Sequence, residues 1–161
     1  MKKDLIIETL QLQPHPLEGG FFSRTYESEL RVNLHGEQRL MATSIYYLLT
    51  DDSPIGYMHR NTSDIVHYYH GGSSIKYTII TPQGGISTAI LGNNLEQGER
   101  PQLTVKGQHW KIATLQGGEC GLLSEVVVPG FEYRDNEIAT REQIAQLFPQ
   151  HFESVKNYIA D

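Results

Sequence analysis

The sequence predicts an all-β fold, an antiparallel sandwich or barrel of short strands, and three observations lead there. From Gly19 to Tyr133 the chain runs through short segments rich in β-branched and aromatic residues. Turn residues in "TDDSP", "HGGS", "TPQGG", "LGNN" and "LQGGE" separate these segments. Helical periodicity is confined to the two ends, so the crossover helices of a parallel α/β sheet are missing from the pattern.

Taken in order, the chain opens with a short amphipathic helix through Leu5, Ile6 and Leu10, which Pro14 and Pro16 are expected to end. Strands then follow at "FFSRTYES", "RLMATSIYYLLT", "IGYMHR", "DIVHYYH", "SIKYTIIT", "GISTAILG", "QLTV", "HWKIATLQ" and "CGLLSEVVV". The second of these reads as one long strand over 39–50. Near the end, Thr140 precedes Gln143 by three residues, a capping-box spacing. Ile144, Leu147 and Phe148 then give an apolar helical face. Pro149 breaks or restarts the helix, and Phe152, Val155 and Ile159 continue the stripe. These helices are expected to cover a face or end of the sheet. With no repeat or linker, residues 1–161 are expected to form one domain, with the barrel over about 19–134 and the C-terminal helices over about 139–160.

Composition removes several function classes. The net charge of −6 is spread along the chain without a lysine or arginine run, which argues against a nucleic-acid surface. Cys120 is the one cysteine, so neither an intrachain disulfide nor a multi-cysteine zinc site is available. The opening "MKKDLIIETLQLQP" carries Asp4 and Glu8 and is not expected to act as a signal peptide. No segment approaches the ~18 to 20 apolar residues of a membrane span. A cytoplasmic protein is the expectation.

The chemistry concentrates in "GYMHRNTSDIVHYYHGG", residues 56–72. His59 is followed by four residues and Asp64, then by six residues and Gly71. Two adjacent antiparallel strands with this spacing can aim an imidazole and a carboxylate into one barrel mouth, a common place for a small ligand.

That spacing resembles the first signature of the cupin superfamily, His-x-His, three or four residues, Glu, six residues, Gly. Tyr57 stands in place of the first histidine and Asp64 in place of the glutamate. The second signature, Pro-x-Gly with a histidine three residues on, is matched by "VKGQHW". There Val105 replaces the proline, Gly107 is retained, Trp110 takes the histidine position and His109 sits one residue early. The segments "HPLEGGFFSRTYES", "YMHRNTSD", "VHYYHGG", "LGNNLEQGERPQLTVKGQHW" and "VPGFEYRDNE" together resemble the cupin-5 family, a domain of unknown function, over His15 to Glu137. Val66 precedes His67 where many members carry a tryptophan. The resemblance implies a cupin double-stranded β-helix, or jelly roll, similar to the dTDP-sugar-epimerase barrels and commonly dimeric.

His59 as base, Asp64 as its orienting carboxylate and Tyr57 as acid would suit proton abstraction beside a carbonyl, as in metal-free sugar epimerases of this fold. Two alternatives stand beside this reading. One is a cupin that binds a small molecule without reaction. The other is an oxygenase or lyase with a divalent metal on His59, Asp64 and His109, although tyrosine at 57 is a poor ligand and Trp110 is none. Apart from that metal, no cofactor is expected. Arg24 and Tyr26 are spaced by two and expected on one face, the arginine suited to a carboxylate or phosphate. Tyr46 is a further lining candidate, with Tyr47 as the equal alternative. His67 is read as packing between the sheets or as a site residue, Trp110 as an aromatic wall, and Glu132 and Tyr133 as closing the pocket. His70 is expected to be exposed, and Arg60 to point away from His59. His15, His35 and His151, in loops or the tail, carry no signal. The expected ligand is a small, sugar-like or nucleotide-like metabolite, and the expected assembly a homodimer, since open sheet edges gain from pairing.

Overall fold

Strand alternation builds two sheets whose inner faces share one core. The computed structural model describes residues 1–34 and 36–160; His35, read as a loop residue, lies outside the described residues. One sheet has six strands, in the order β1 (Gln13–Pro14), β2 (Phe21–Glu27), β5 (Thr43–Thr50), β12 (Cys120–Val128), β7 (Asp64–Gly72) and β10 (Gln102–Val105). The other has five, in the order β13 (Asn136–Ile138), β6 (Ile55–Asn61), β11 (Trp110–Leu115), β8 (Ile75–Ile80) and β9 (Ile86–Leu91). A separate hairpin joins β3 (Arg31–Leu34) to β4 (Glu37–Leu40). Every strand pair is antiparallel. Non-sequential neighbours such as β5–β12–β7 give the jelly-roll winding that was expected.

Between the sheets, Tyr47, Leu49, Tyr77, Ile79, Val105, Ala113 and Leu123 form the main apolar core. The opposite parity of each sheet faces a helix. On the six-stranded sheet, Leu48, Cys120 and Leu122 pack under Ile6 of α1 (Lys3–Thr9). On the five-stranded sheet, Met58, Ile80, Trp110 and Ile112 are covered by Ile144 of α2 (Arg141–Leu147) and Val155 of α3 (Pro149–Val155), with Phe148 between the helices. Among the described residues no helix is long and apolar enough to cross a membrane.

Several local expectations change. The segment 39–50 is not one strand. It corners at Met41–Ala42, so that β4 pairs back on β3 while β5 enters the main sheet. No glycine or proline marks that corner, because Gly130 supplies the room from elsewhere: a β-carbon there would lie 2.9 Å from Leu40 and Thr43. The first helix stops at Thr9, ahead of the prolines, and Gln11 takes a left-handed conformation at φ 52°. Thr140 does cap α2, accepting from the Gln143 backbone N–H at 3.2 Å. The Gln143 side chain, however, reaches Glu137 at 2.5 Å and leaves the capping box half made. Leu147 is half exposed, since Phe148 leaves helical geometry and takes the inward place itself.

Candidate functional site

A pocket of about 460 Å³, its open mouth included, lies between the two sheets. Phe22, Arg24, Ile45, His59, Asn61, Lys111 and Glu125 reach it from the strands, His15 and Glu18 from the loop before β2, and Phe131 and Tyr133 from the segment after β12. Arg24 sits 5.9 Å from the centre of the Phe131 ring and pairs with Glu27 at 2.8 Å.

The loop is placed by glycine. Gly19 has φ 81°, and a β-carbon there would come within 2.5 Å of the Ile55 carbonyl, so only glycine lets this loop lie against β6. The Tyr57 N–H donates to the Glu18 carbonyl at 2.7 Å, and the Tyr47 hydroxyl donates to the Gly19 carbonyl at 2.8 Å. Glu18 is thereby held beside the barrel interior.

Backbone groups then fix opposite tautomers on two histidines that share this carboxylate. His59 Nδ1 lies 2.6 Å from the Tyr57 carbonyl, an atom that only accepts, so Nδ1 carries the proton and Nε2 keeps its lone pair. That Nε2 is 3.4 Å from Glu18 Oε2. His15 Nδ1 instead accepts backbone N–H bonds from Leu17 (3.3 Å) and Glu18 (3.0 Å), so its proton sits on Nε2, 3.8 Å from the same Oε2. Asn136 donates to the other Glu18 oxygen at 2.6 Å. Burial holds His59 below the ordinary imidazole range, with Glu18 pulling upward and Lys111 pushing further down. The result is a neutral base beside a carboxylate that stabilises its conjugate acid.

Deeper in, Lys111 on β11 is the register partner of His59, and His67 on β7 that of Glu125 on β12. Lys111 Nζ is 3.1 Å from His67 Nε2 and 3.7 Å from Glu125 Oε1, so an ion pair bridges the two sheets. Burial alone would raise the Glu125 carboxyl, but Lys111 first and His67 next outweigh it and hold it well below the usual range. Burial and Lys111 keep His67 low. Among the described residues, the buried Asn61 Nδ2 and Tyr77 hydroxyl have no hydrogen-bond partner. Asn61, two residues after His59 on β6, lines the pocket.

Of the residues expected at the site, His59, Arg24 and Tyr133 line the pocket, and His67 lies fully buried behind Lys111. The others sit elsewhere, for identifiable reasons. Gly56 pairs with Ala113 and His59 with Lys111, so Tyr57 and Met58 together oppose Ile112. This β-bulge breaks the parity that would have put Tyr57 on the His59 face. A second bulge between Arg24 and Tyr26 leaves Tyr26 paired with the outward Ser44 and 54% exposed. Tyr46 packs outward near α1 and meets His70 edge-on, and Tyr47 is the inward tyrosine. Asp64 accepts from Lys106 at 2.7 Å and from the Gly107 N–H at 2.8 Å on the outside, so it does not orient His59. His109 Nδ1 bonds the Gly107 carbonyl at 3.0 Å. Trp110 is buried under the C-terminal helices with Arg60 over its ring at 4.7 Å, so Phe22 and Phe131 supply the pocket's aromatic wall. Glu132 is engaged by Arg39 at 3.1 Å and Arg134 at 2.6 Å.

His59, Asp64 and His109 therefore do not converge, and no three His, Cys, Asp or Glu side chains among the described residues are grouped to hold a metal. On the floor of the barrel it is the Lys111 ammonium that meets Glu125 and His67. Sequence reasoning missed Glu18, Lys111, Glu125, Asn61 and His15. The signal for Glu18 was the Gly19–Gly20 pair directly behind it; the others gave none beyond strand parity.

The family described as Cupin superfamily (DUF985) matches residues 4–139. An uncharacterized Saccharomyces cerevisiae protein, YML079W, is 36% identical over 146 residues, covering 81% of this chain and 72% of its own. A hypothetical protein from Leishmania major has the same structure at TM-score 0.93 and 32% identity, over 100% of both chains. Protein SO0799 from Shewanella oneidensis superposes at TM-score 0.90 and 32% identity, over 99% of this chain and 98% of its own. Barrels of isomerase and decarboxylase type share the fold at a distance. A dTDP sugar isomerase from Desulfovibrio desulfuricans has TM-score 0.56 and 12% identity over 87% of this chain and 92% of its own. An oxalate decarboxylase from Bacillus subtilis has TM-score 0.56 and 16% identity over 91% of this chain and 37% of its own.

Proposed function

Because the chain belongs to the cupin superfamily, in its DUF985 family, we propose that it takes a small polar metabolite into the barrel and moves a proton on it, as an isomerase or epimerase does. One observation carries this reading. The His59 Nδ1–H is committed to the Tyr57 carbonyl, which leaves a neutral, buried Nε2 beside Glu18 in the pocket. A base so placed removes a proton from carbon next to a carbonyl, and the imidazolium formed is stabilised by Glu18. Glu18 is itself kept in place by Asn136 and His15.

Lys111, across the ladder from His59, is the positive charge available to the oxygen that gains electron density. Asn61 Nδ2, buried and free of partners among the described residues, is a donor for a ligand oxygen. Arg24 at the mouth is held by an exposed pair with Glu27, of the kind worth about 0 to 1 kcal/mol. An incoming carboxylate or phosphate displaces such a pair easily. Tyr133 is the phenol among the lining residues and takes the acid role first given to Tyr57. The expected ligand remains sugar-like or nucleotide-like, and the expected setting a cytoplasmic homodimer; a monomer in light scattering at micromolar concentration would reject the dimer.

The test begins with a thermal-shift screen of nucleotide sugars and sugar phosphates. Each stabilising compound is then incubated in deuterium oxide and its carbon-bound hydrogens followed by NMR. The reading expects deuterium next to the carbonyl with wild type and none with a folded His59→Asn variant. Exchange that persists in that variant rejects it.

A further inference from the structure

The most deeply placed cation of the pocket has a neighbour, His67, that proton transfer at His59 does not use. Lys111 is 3% exposed, yet it lines the cavity. Its Nζ lies 3.1 Å from His67 Nε2. His67 Nδ1 is 3.3 Å from the Leu103 carbonyl, which only accepts and so holds the proton on Nδ1, and Nε2 lies between the Lys111 amine at 3.1 Å and Glu125 Oε1 at 3.3 Å. Burial, followed by the charge of Lys111 itself, holds that imidazole below its ordinary value against the upward pull of Glu125. A nucleophile within hydrogen-bond reach of a base, the base held by a third group, is the arrangement covalent catalysis requires. Here these parts are an amine, an imidazole and a backbone carbonyl.

We propose that Lys111 captures aldehydes and ketones in the pocket as an imine, with His67 as the proton carrier. The Lys111 ammonium passes a proton to His67 Nε2. The freed amine lone pair forms a C–N bond to the carbonyl carbon, and the C=O π pair moves to oxygen, which takes the proton back from His67. His67 then removes a second proton from nitrogen and delivers it to the hydroxyl, which leaves as water. Lysine ammonium and carbonyl compound have become protonated imine and water, without oxidant or reductant. Glu125, 3.7 Å from Nζ, is the counter-ion at the start and at the end. This inference rests on the same pocket and ligand class as the proton-transfer reading and adds a covalent bond to it. A protonated imine also makes the neighbouring C–H more acidic, which is the proton His59 would take.

The simpler role for Lys111 is to neutralise Glu125, and trapping separates the two. The full chain is incubated near neutral pH with glyoxylate and sodium cyanoborohydride, and in parallel with uncharged glyceraldehyde, followed by peptide mapping. The expected result is an adduct on Lys111 that forms faster than on the exposed Lys76 and Lys106. His67→Gln, shown to be folded by its melting curve, is expected to slow labelling at Lys111 by about 100-fold, the low end of what a positioned base supplies, and to leave the surface lysines unchanged. Labelled surface lysines with Lys111 unmodified by either aldehyde overturn the inference. So does labelling of Lys111 at the same rate in His67→Gln. Repeating the trapping in His59→Asn tells the two readings apart. An adduct that persists there, in a protein whose deuterium exchange never depended on His59, leaves imine capture standing and removes the acid–base reading. Exchange that depends on His59 with no adduct at Lys111 does the reverse.

Discussion

Lys111 and Glu125 meet at 3.7 Å across the interior from opposite sheets, one on β11 and the other on β12. Both side chains are under one-tenth exposed, so solvent compensates neither charge well. Removing one partner strands a charge in the core, which costs about 3 to 5 kcal/mol. Lys111→Met is therefore expected to lower stability by that amount in urea unfolding. The double variant Lys111→Met with Glu125→Gln is expected to regain most of it, giving a coupling energy that the single variants cannot. A double variant no better than the sum of the singles would mean that the pair does not neutralise itself.

Acid should unfold the protein in two stages. His59 and His67 are both held below their ordinary value of 6.5, so the unfolded chain binds more protons than the folded one as pH falls through that value. Their contribution is complete above 6.5 and is lost toward the lower folded values. Glu125 is depressed from 4.5, so its contribution is present above 4.5 and disappears as pH falls through its folded value. Melting temperature against pH should fall first in the histidine window and again in acid. In His67→Gln the first decline should shrink, and an unchanged first decline would assign it elsewhere.

Gly19→Ala tests how the carboxylate is delivered. The substitution places a methyl at φ 81° against the Ile55 carbonyl and is expected to cost more than about 1 kcal/mol. The specific expectation is at His59, because displacing Glu18 removes the charge that raises its imidazole. The NMR titration midpoint of His59 should move down, and a midpoint that stays put would show that the loop does not depend on this glycine.

Trp110→Ala should act on stability alone. The ring is 1% exposed beneath α2 and α3, so its removal is expected to cost about 3 to 5 kcal/mol. Affinity for any ligand of the barrel should change less than twofold at temperatures where the variant is folded. A large loss of affinity would connect the helix-covered face to the pocket.

The β-rich interior and the helical ends were legible because each strand keeps its parity for most of its length and turn residues mark most ends. Some elements that escaped notice lack those marks: β1 has two residues, β13 is "NEI", and the corner before β5 has neither glycine nor proline, whereas β3 escaped although Gly36 follows it. Site reading failed in a consistent way. Residues at i and i+2 were assigned to one face, and in β2 and β6 a bulge falls between them, at Arg24 and Tyr26 and at Tyr57 and His59. Parity also misread the acid, for Asp64 begins β7 facing out while Ile65 and His67 face in. Glu18 and Glu125 come from a loop and from the far end of the chain, and only the sheet order brings them to His59 and His67. Local spacing cannot encode that meeting.

The ion pair that spans the two sheets also links their separation to charge. Any movement of the two sheets apart would stretch the distance between Lys111 and Glu125, so mechanical opening and charge separation are one coordinate. An electron-rich oxygen brought to the lysine would compensate that stretch, and an apolar group of equal size would not. The spacing of the two sheets is thus tied to the charge held between them, like the plates of a small capacitor.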